Sequence, residues 1–215
     1  MNKISYCITC CQEIIEIQKL IPHIQRFKRE CDEIIVEFDE KNGSDEVREY
    51  LETIENITLI RANFDNDFAS FKNKLFDYIN RYHPDITHTF WIDADELPHH
   101  LLLSYLPDIL DGNPDVDLFW VPRINTLTGA SAEELDYYIQ SQGWTINDKG
   151  WINWPGDMQG RLVKNKLSIR WNGVVHETIQ GAEIYSALPQ EEYLALYHPK
   201  QLSKQIKQNE LYNKI

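Results

Sequence analysis

Positive charge is scarce in this chain. Against 34 Asp and Glu stand only 21 Lys and Arg, a formal net charge of −13. Neutralising a nucleic-acid backbone takes clustered basic side chains, so the balance argues against a nucleic-acid partner. An anionic ligand would need a local cation, either a bound metal or a few placed basic residues. Long apolar runs are missing too: no stretch approaches the ~18 residues of a membrane span. The opening MNKISYCITCCQEIIEI has no signal-peptide cleavage pattern. A soluble, cytoplasmic protein is expected. Cysteine is sparse and confined to Cys7, Cys10, Cys11 and Cys31, with no second pair or histidine cluster at zinc-finger spacing. Reduced thiols in or near a buried strand are the expectation. Internal repeats and low-complexity segments are also absent, and 215 residues suffice for one sizeable core, so residues 1–215 are read as one domain.

What is present is alternation. KISYCIT (3–9) reads as a buried strand, and QEIIEIQKLIPHIQRFKRE follows with Ile14, Ile17, Ile21, Ile24 and Phe27 at helical spacing. Pro22 is expected to kink or restart that helix. EIIVEF (33–38) gives a second strand, the turn-like DEKNGS follows, and Ser44 is the candidate N-cap of SDEVREYLETI. NITLIRA (56–62) is a third strand. DFASFKNKLFDYINRY then places Phe68, Phe71, Leu75, Tyr78 and Tyr82 on one helical face, and DITHTFWID forms a fourth strand. Such alternation implies an α/β fold with a mainly parallel, helix-covered sheet whose ligands gather at the C-terminal strand ends.

The second half differs. A helix over 99–111 and a strand over 116–122 precede an insert, 125–152, that is polar, aromatic and irregular and reads as a lid or substrate-binding segment. KLSIRW and GVVHETI form a hairpin with its turn at Asn172–Gly173, and KQLSKQIKQNELYNKI closes the chain as a helix, the C-terminal unit being 199–215.

Chemistry concentrates in TFWIDADELPHH (89–100). Strand alternation puts residues i and i+2 on one side, so Asp93 and Asp95 converge if the strand reaches that far. Hard cations such as Mg²⁺ or Mn²⁺ take oxygen ligands, often one or two carboxylates plus phosphate oxygens. The competing reading is a helix-starting carboxylate, Asp95 or Glu96, ahead of Pro98.

Several separate stretches resemble the GT-A-fold glycosyltransferases, in particular the inverting family 2. ISYCITCCQEIIEIQKLI is similar to that family's opening strand and helix. EIIVEFDEKNGSDEV resembles its strand ending in Asp with Gly-Ser and a further Asp beyond. FDNDFASFKNKLFDYI is similar to its Asn-Asp-Phe-Ala segment, with Lys72-Asn73 where the family has Arg-Asn. WIDADE matches the D-x-D with a trailing Glu, and GDMQGRLVKNKLSIRWNGVVHE matches a downstream Gly-Asp, Gln, Arg-Leu, Val-His-Glu pattern. The matches cover residues 3–180, with 125–152 unmatched. Residues 1–98 would be the nucleotide-sugar half and 99–198 the acceptor and metal half.

The resemblance implies a metal-dependent inverting transfer of a sugar from a nucleotide-diphosphate donor, a UDP-sugar favoured, to a glycan, lipid-linked or protein hydroxyl, with Mn²⁺ or Mg²⁺ as cofactor. On the donor side it implies Thr9 and Asp39 at the base or ribose, Asp93 at the ribose or the metal's waters, and Lys72, Asn73 and Arg161 at sugar or phosphate. Lys for Arg at 72 loses the fork geometry of a bidentate contact. Asp95 would ligate the metal, completed by His176 or His198. The base that deprotonates the acceptor would be Asp157, with Glu177 as its rival and Glu96 a distant third. Trp144, Trp151, Trp154 and Trp171 flank that base; Trp154 and Trp171 are the candidate acceptor platform, since sugar rings stack on aromatic faces. A nucleotidyltransferase would need a Gly-rich loop where CITCCQE stands, and a haloacid-dehalogenase-like phosphatase would carry its D-x-D after the first strand. A binding module that keeps the fold without catalysis is the competing function.

Overall fold

Short apolar runs and amphipathic helices alternate through the first half of the chain, and a computed structural model, which describes residues 2–203 and Ile206, shows them as strand–helix units. The order is β1 (Ile4–Cys10), α1 (Ile14–Phe27), β2 (Glu33–Asp39), α2 (Asp45–Thr53), β3 (Thr58–Ala62), α3 (Phe68–Tyr82) and β4 (His88–Asp93). Then come β5 (Leu97–Pro98), α4 (His100–Gly112), β6 (Leu118–Thr128), α5 (Ala132–Gln142), β7 (Met158–Lys164), β8 (Arg170–Asn172), β9 (Thr178–Gln180), β10 (Tyr185–Ala187) and β11 (Leu196–Gln201).

The main sheet runs β3-β2-β1-β4-β7-β6-β11-β5, with β10 also on β6. The first four strands are mutually parallel, and β7 lies antiparallel between β4 and β6. One face buries Ile4, Tyr6, Ile8, Val36, Phe90 and Ile92 against α1, α2 and α4. The opposite face sets Cys7, Ile35 and Trp91 against Leu75, Phe76 and Ile79 of α3. Strands buried on both faces account for the near-continuous apolar runs of β1, β2 and β4.

Several expectations need correction. α1 does not restart at Pro22 but continues through it: the missing N–H forfeits one helical bond, and burial of Ile17, Leu20, Ile21 and Ile24 on one stripe offsets it. The buried stripe of α3 is Ala69, Phe71, Lys72, Leu75, Phe76 and Ile79, whereas Tyr82 is exposed. The insert is not irregular throughout. β6 continues to Thr128, and α5 follows with a Ser131–Glu134 capping box that satisfies donors at both ends of its first turn. The hairpin of β8 and β9 pairs Asn172 with Thr178, so five residues, 173–177, cross its tip rather than a two-residue turn. Residues 199–201 belong to β11, which pairs in parallel with β6; helix begins at Leu202, and most of the expected closing helix lies outside the described residues.

Other details hold. Ser44 caps α2, accepting from the Val47 N–H. All four cysteines are free; Cys7 and Cys10 are buried, and burial pushes the Cys7 thiol up to about 12, far from a reactive thiolate. Among the described residues no helix is long and apolar enough to cross a membrane.

Candidate active site

The parallel strands end on one edge, and there the charged residues collect. β4 stops at Asp93, and Ala94 and Asp95 form a turn closed by the Glu96 N–H on the Asp93 carbonyl at 2.9 Å. The alternation therefore never reaches Asp95, and the two aspartates take different surroundings.

Asp93 is set between two cations. Lys72 Nζ donates to its Oδ1 at 3.0 Å, and Arg161 holds its Oδ2 in a short contact. Burial opposes its charge, but Arg161 and Lys72 hold the carboxyl well below the usual range. Lys72 is not a solvated helical lysine. Only 5% exposed, it also donates to Glu177 at 2.8 Å and lies over the Trp171 ring. Burial works against its charge as well, and Asp93 and Glu177 together raise its pKa despite that. Glu177 thereby ties the tip of the β8–β9 hairpin to α3. Asn73 secures the same hairpin with both ends of its amide: Nδ2 donates to the Trp171 carbonyl at 2.9 Å, and Oδ1 accepts from the Trp171 N–H at 3.0 Å.

Glu96 is no helix cap. The N-cap of α4 is His99, whose Nδ1 accepts from Leu101, while Glu96 is buried and accepts from Arg161 at 2.7 Å and Arg123 at 3.3 Å. Its other oxygen takes the Asp93 N–H at 3.1 Å. Arg161, 3% exposed, joins the two acidic residues and retains a buried Nε–H without a partner among the described residues.

Asp157 lies just before β7 and is held from three sides. Arg123 Nε donates to it at 2.9 Å, Asn125 Nδ2 at 2.5 Å and Gln159 Nε2 at 2.6 Å. Burial raises its pKa, and Arg123 with the two amides more than reverses this, leaving an ionised carboxylate. His198 on β11 sets Nε2 3.4 Å from Asp95 Oδ2, and its Nδ1 meets Asn125 Oδ1 at 2.8 Å. Burial raises the Asp95 pKa and the His198 contact outweighs it, for a net lowering. His176 sits exposed on the β8–β9 tip with a left-handed backbone, φ 54°.

At the end of β2, Asp39 organises a turn: its Oδ1 accepts from Lys41, Asn42 and Phe64 N–H groups, and its Oδ2 from the Asn42 side chain. Gly43 is required there, because a Cβ would collide with the Phe38 ring and the Asp39 carbonyl. Thr9 pairs laterally with both Glu37 and Asp93. Trp154 is half-buried and edge-to-face with Trp151 at 5.5 Å, and Trp144 stacks on Tyr138 at 4.8 Å. Trp171 belongs elsewhere: 5% exposed, it packs against Trp91 with Lys72 over its face, so it offers no open platform to a sugar ring.

Sequence reasoning missed Arg123 and Asn125. The signal was available, since Arg123 and Asn125 flank Ile124 at the alternation of a half-buried strand, but the strand was expected to stop at 122. It also missed Glu37, a carboxylate buried in β2 with neither oxygen partnered among the described residues.

A half-parallel sheet with helices on both faces and an antiparallel β7 inserted beside β4 is the arrangement of the GT-A fold. Among solved structures, S. aureus TarS 1–349 in complex with UDP-GlcNAc superposes at a TM-score of 0.61 with 12% identity, over 92% of this chain and 58% of that one. The same protein in complex with UDP gives 0.61 and 12%, over 97% and 64%. The chain thus spans about six tenths of the length of these structures. A mannosyltransferase from Pyrobaculum calidifontis, in complex with GDP-Man and Mn²⁺, overlaps 56% of this chain at a TM-score of 0.44 and 19% identity. No protein-family model matches, and no curated protein matches in sequence.

Proposed function

We propose that this chain is a cytoplasmic inverting glycosyltransferase of the family 2 kind, working as one domain, that moves a sugar from a nucleotide-diphosphate donor to an acceptor hydroxyl. The observation that carries the reading is Asp157: an ionised carboxylate, one-fifth exposed, on the same sheet edge as the Asp93, Asp95 and His198 cluster. A UDP-sugar is the favoured donor, in keeping with the UDP-GlcNAc and UDP held by TarS on a like fold.

In this reading Thr9 and the Asp39 turn receive the base and ribose. Lys72 and Arg161, both buried and paired with Asp93, place positive charge behind the diphosphate before the leaving group develops its own. Asn73 has both amide groups committed to Trp171, so its part is to fix the hairpin over the donor rather than to touch it.

Whether these residues suit a divalent ion can be judged from their donor set. Among the described residues no group of three or more His, Cys, Asp or Glu is placed to hold one. Asp95 and His198, an oxygen and a nitrogen donor together, fit an ion that draws its remaining ligands from phosphate and water. Their 3.4 Å separation exceeds the roughly 2.7–2.9 Å of a charge-assisted hydrogen bond. Mn²⁺ or Mg²⁺ held there would supply electrophilic counter-charge to the departing diphosphate. Of the two histidines, His198 takes the ligand role.

Asp157 Oδ1, bonded among the described residues only by Gln159, accepts the acceptor hydroxyl's proton. The hydroxyl oxygen bonds the anomeric carbon from the face opposite the diphosphate, and the carbon–oxygen bond to the nucleoside diphosphate breaks. Glu177, paired with Lys72, is left to the loop. Trp154, three residues before the base, is the aromatic surface for a glycan, lipid-linked or protein acceptor.

Release of nucleoside diphosphate from a panel of sugar nucleotides, with Mn²⁺ and with chelator, tests the reading. Asp95→Ala is expected to abolish metal-dependent donor binding. If no donor is transferred, hydrolysed or bound with metal dependence, the chain is a binding module or something else altogether.

A further inference from the structure

Asn125 links the two halves of the proposed chemistry. It lies on β6, in lateral register with His198 of β11, and its isolated bridge to Ile152 anchors the far end of the insert. Its amide is used at both ends. Nδ2 donates to Asp157 Oδ2 at 2.5 Å, and a carboxylate ionised by Arg123 only accepts, so the amide cannot be turned over. Oδ1 is thereby presented to His198 Nδ1 at 2.8 Å as an acceptor. The ring must answer with a hydrogen on Nδ1. In the neutral imidazole the lone pair then stands on Nε2, which is the nitrogen facing Asp95 Oδ2 at 3.4 Å. With the ring neutral, two acceptors face each other across that gap, and a cation between them, either a proton on Nε2 or a metal ion, relieves the repulsion.

We propose that Asn125 is a positioning residue that fixes His198 as the Nδ1–H tautomer and, through the same amide, holds Asp157 in place. One side chain thus sets both the ligand nitrogen offered to an ion and the carboxylate that takes the acceptor's proton. This rests on the roles assigned above to Asp95, His198 and Asp157. Hydrogen-bond partners of metal-binding histidines commonly change metal affinity by about 10–100-fold when removed. Asn125 differs from a simple outer partner in that its loss disturbs two groups at once, and its two functions separate by substitution. Asn125→Asp keeps an oxygen acceptor for His198 and sets a like charge against Asp157. Asn125→Ala removes both contacts.

The test uses the full chain. Histidine ¹⁵N correlation spectra of the metal-free protein at alkaline pH, with the His198 signal assigned through His198→Gln, read the tautomer directly. Mn²⁺ affinity in the presence of UDP is read by electron paramagnetic resonance. Expected are an Nδ1–H tautomer at His198 in the wild type, a mixture of tautomers in Asn125→Ala, and Mn²⁺ binding about 10–100-fold weaker in that variant. Asn125→Asp is expected to retain the tautomer and bind Mn²⁺ within about threefold of wild type, while kcat falls on the order of tenfold or more with donor KM unchanged. An Nε2–H tautomer in the wild type overturns the proposal, and so does an Asn125→Ala protein with unchanged tautomer and unchanged Mn²⁺ affinity. The Nδ1–H tautomer in a wild type that binds no Mn²⁺ supports the orienting role of Asn125 and overturns the metal reading of the site.

Discussion

Glu37 allows a quantitative test of the structure that needs no substrate. It lies in β2 on the α3 side of the sheet, fully buried, and neither carboxylate oxygen has a hydrogen-bond partner among the described residues. Burial pushes its pKa from 4.5 up to about 8, with Asp39 adding to the rise and Lys74 and Lys72 opposing it. The folded chain therefore keeps a proton that the unfolded chain has released, so stability falls as pH rises between those values. At about 1.4 kcal/mol for each pH unit, the loss between pH 5 and pH 8 is roughly 3–4 kcal/mol. Glu37→Gln has the same shape and no titration, so its own desolvation cost does not change with pH. Urea unfolding of both proteins at pH 5 and pH 8 isolates the effect from other titrating groups. The variant's stability relative to wild type should rise by roughly 3–4 kcal/mol from the lower pH to the higher. An identical difference at both pH values would show that Glu37 does not carry the proton.

Asp157→Asn should leave donor binding nearly intact and cut turnover by a factor on the order of 10²–10⁴, measured as separate KM and kcat; substantial surviving turnover would move the base to Glu177. His88, buried in β4, has its pKa lowered to about 4 by burial and by Lys164, so the unfolded state gains protons first and stability is lost as pH falls from 6.5 toward 4. His88→Gln should remove roughly 3 kcal/mol of that loss, read by unfolding at the two ends of the window. Asn73→Ala removes both ties to the Trp171 backbone; expected are faster amide exchange across residues 170–180 and a raised donor KM, and exchange equal to wild type would refute the clamp.

How far the sequence could be read depended on how local the determining physics was. The apolar runs of β1, β2 and β4 and the Ser44 cap are set within a few residues, and the corresponding elements were legible. Pro22 misled because one lost hydrogen bond is a local cost, while the burial that offsets it comes from strands distant in sequence. The start of the closing helix was misplaced for a related reason. LYHPKQ has no strong strand pattern, and it becomes β11 because β6 offers an unpaired edge to it. At the site, WIDADE and GDMQGRL were conspicuous as motifs, but the division of labour between Asp93 and Asp95 was not. It depends on where β4 stops and on Lys72 and Arg161 arriving from α3 and β7. Trp171 could not be distinguished from an exposed aromatic until Trp91 was seen against it.

The pairing of Asp95 with His198 brings together residues from the middle and the late part of the chain, and it has a consequence in time. Synthesis at about 5–20 residues per second delivers the strand that carries Asp93 many seconds before the strand that carries His198. On the function proposed above, the ion site would be the last part of the site to form, since it waits for β11 to dock on β6.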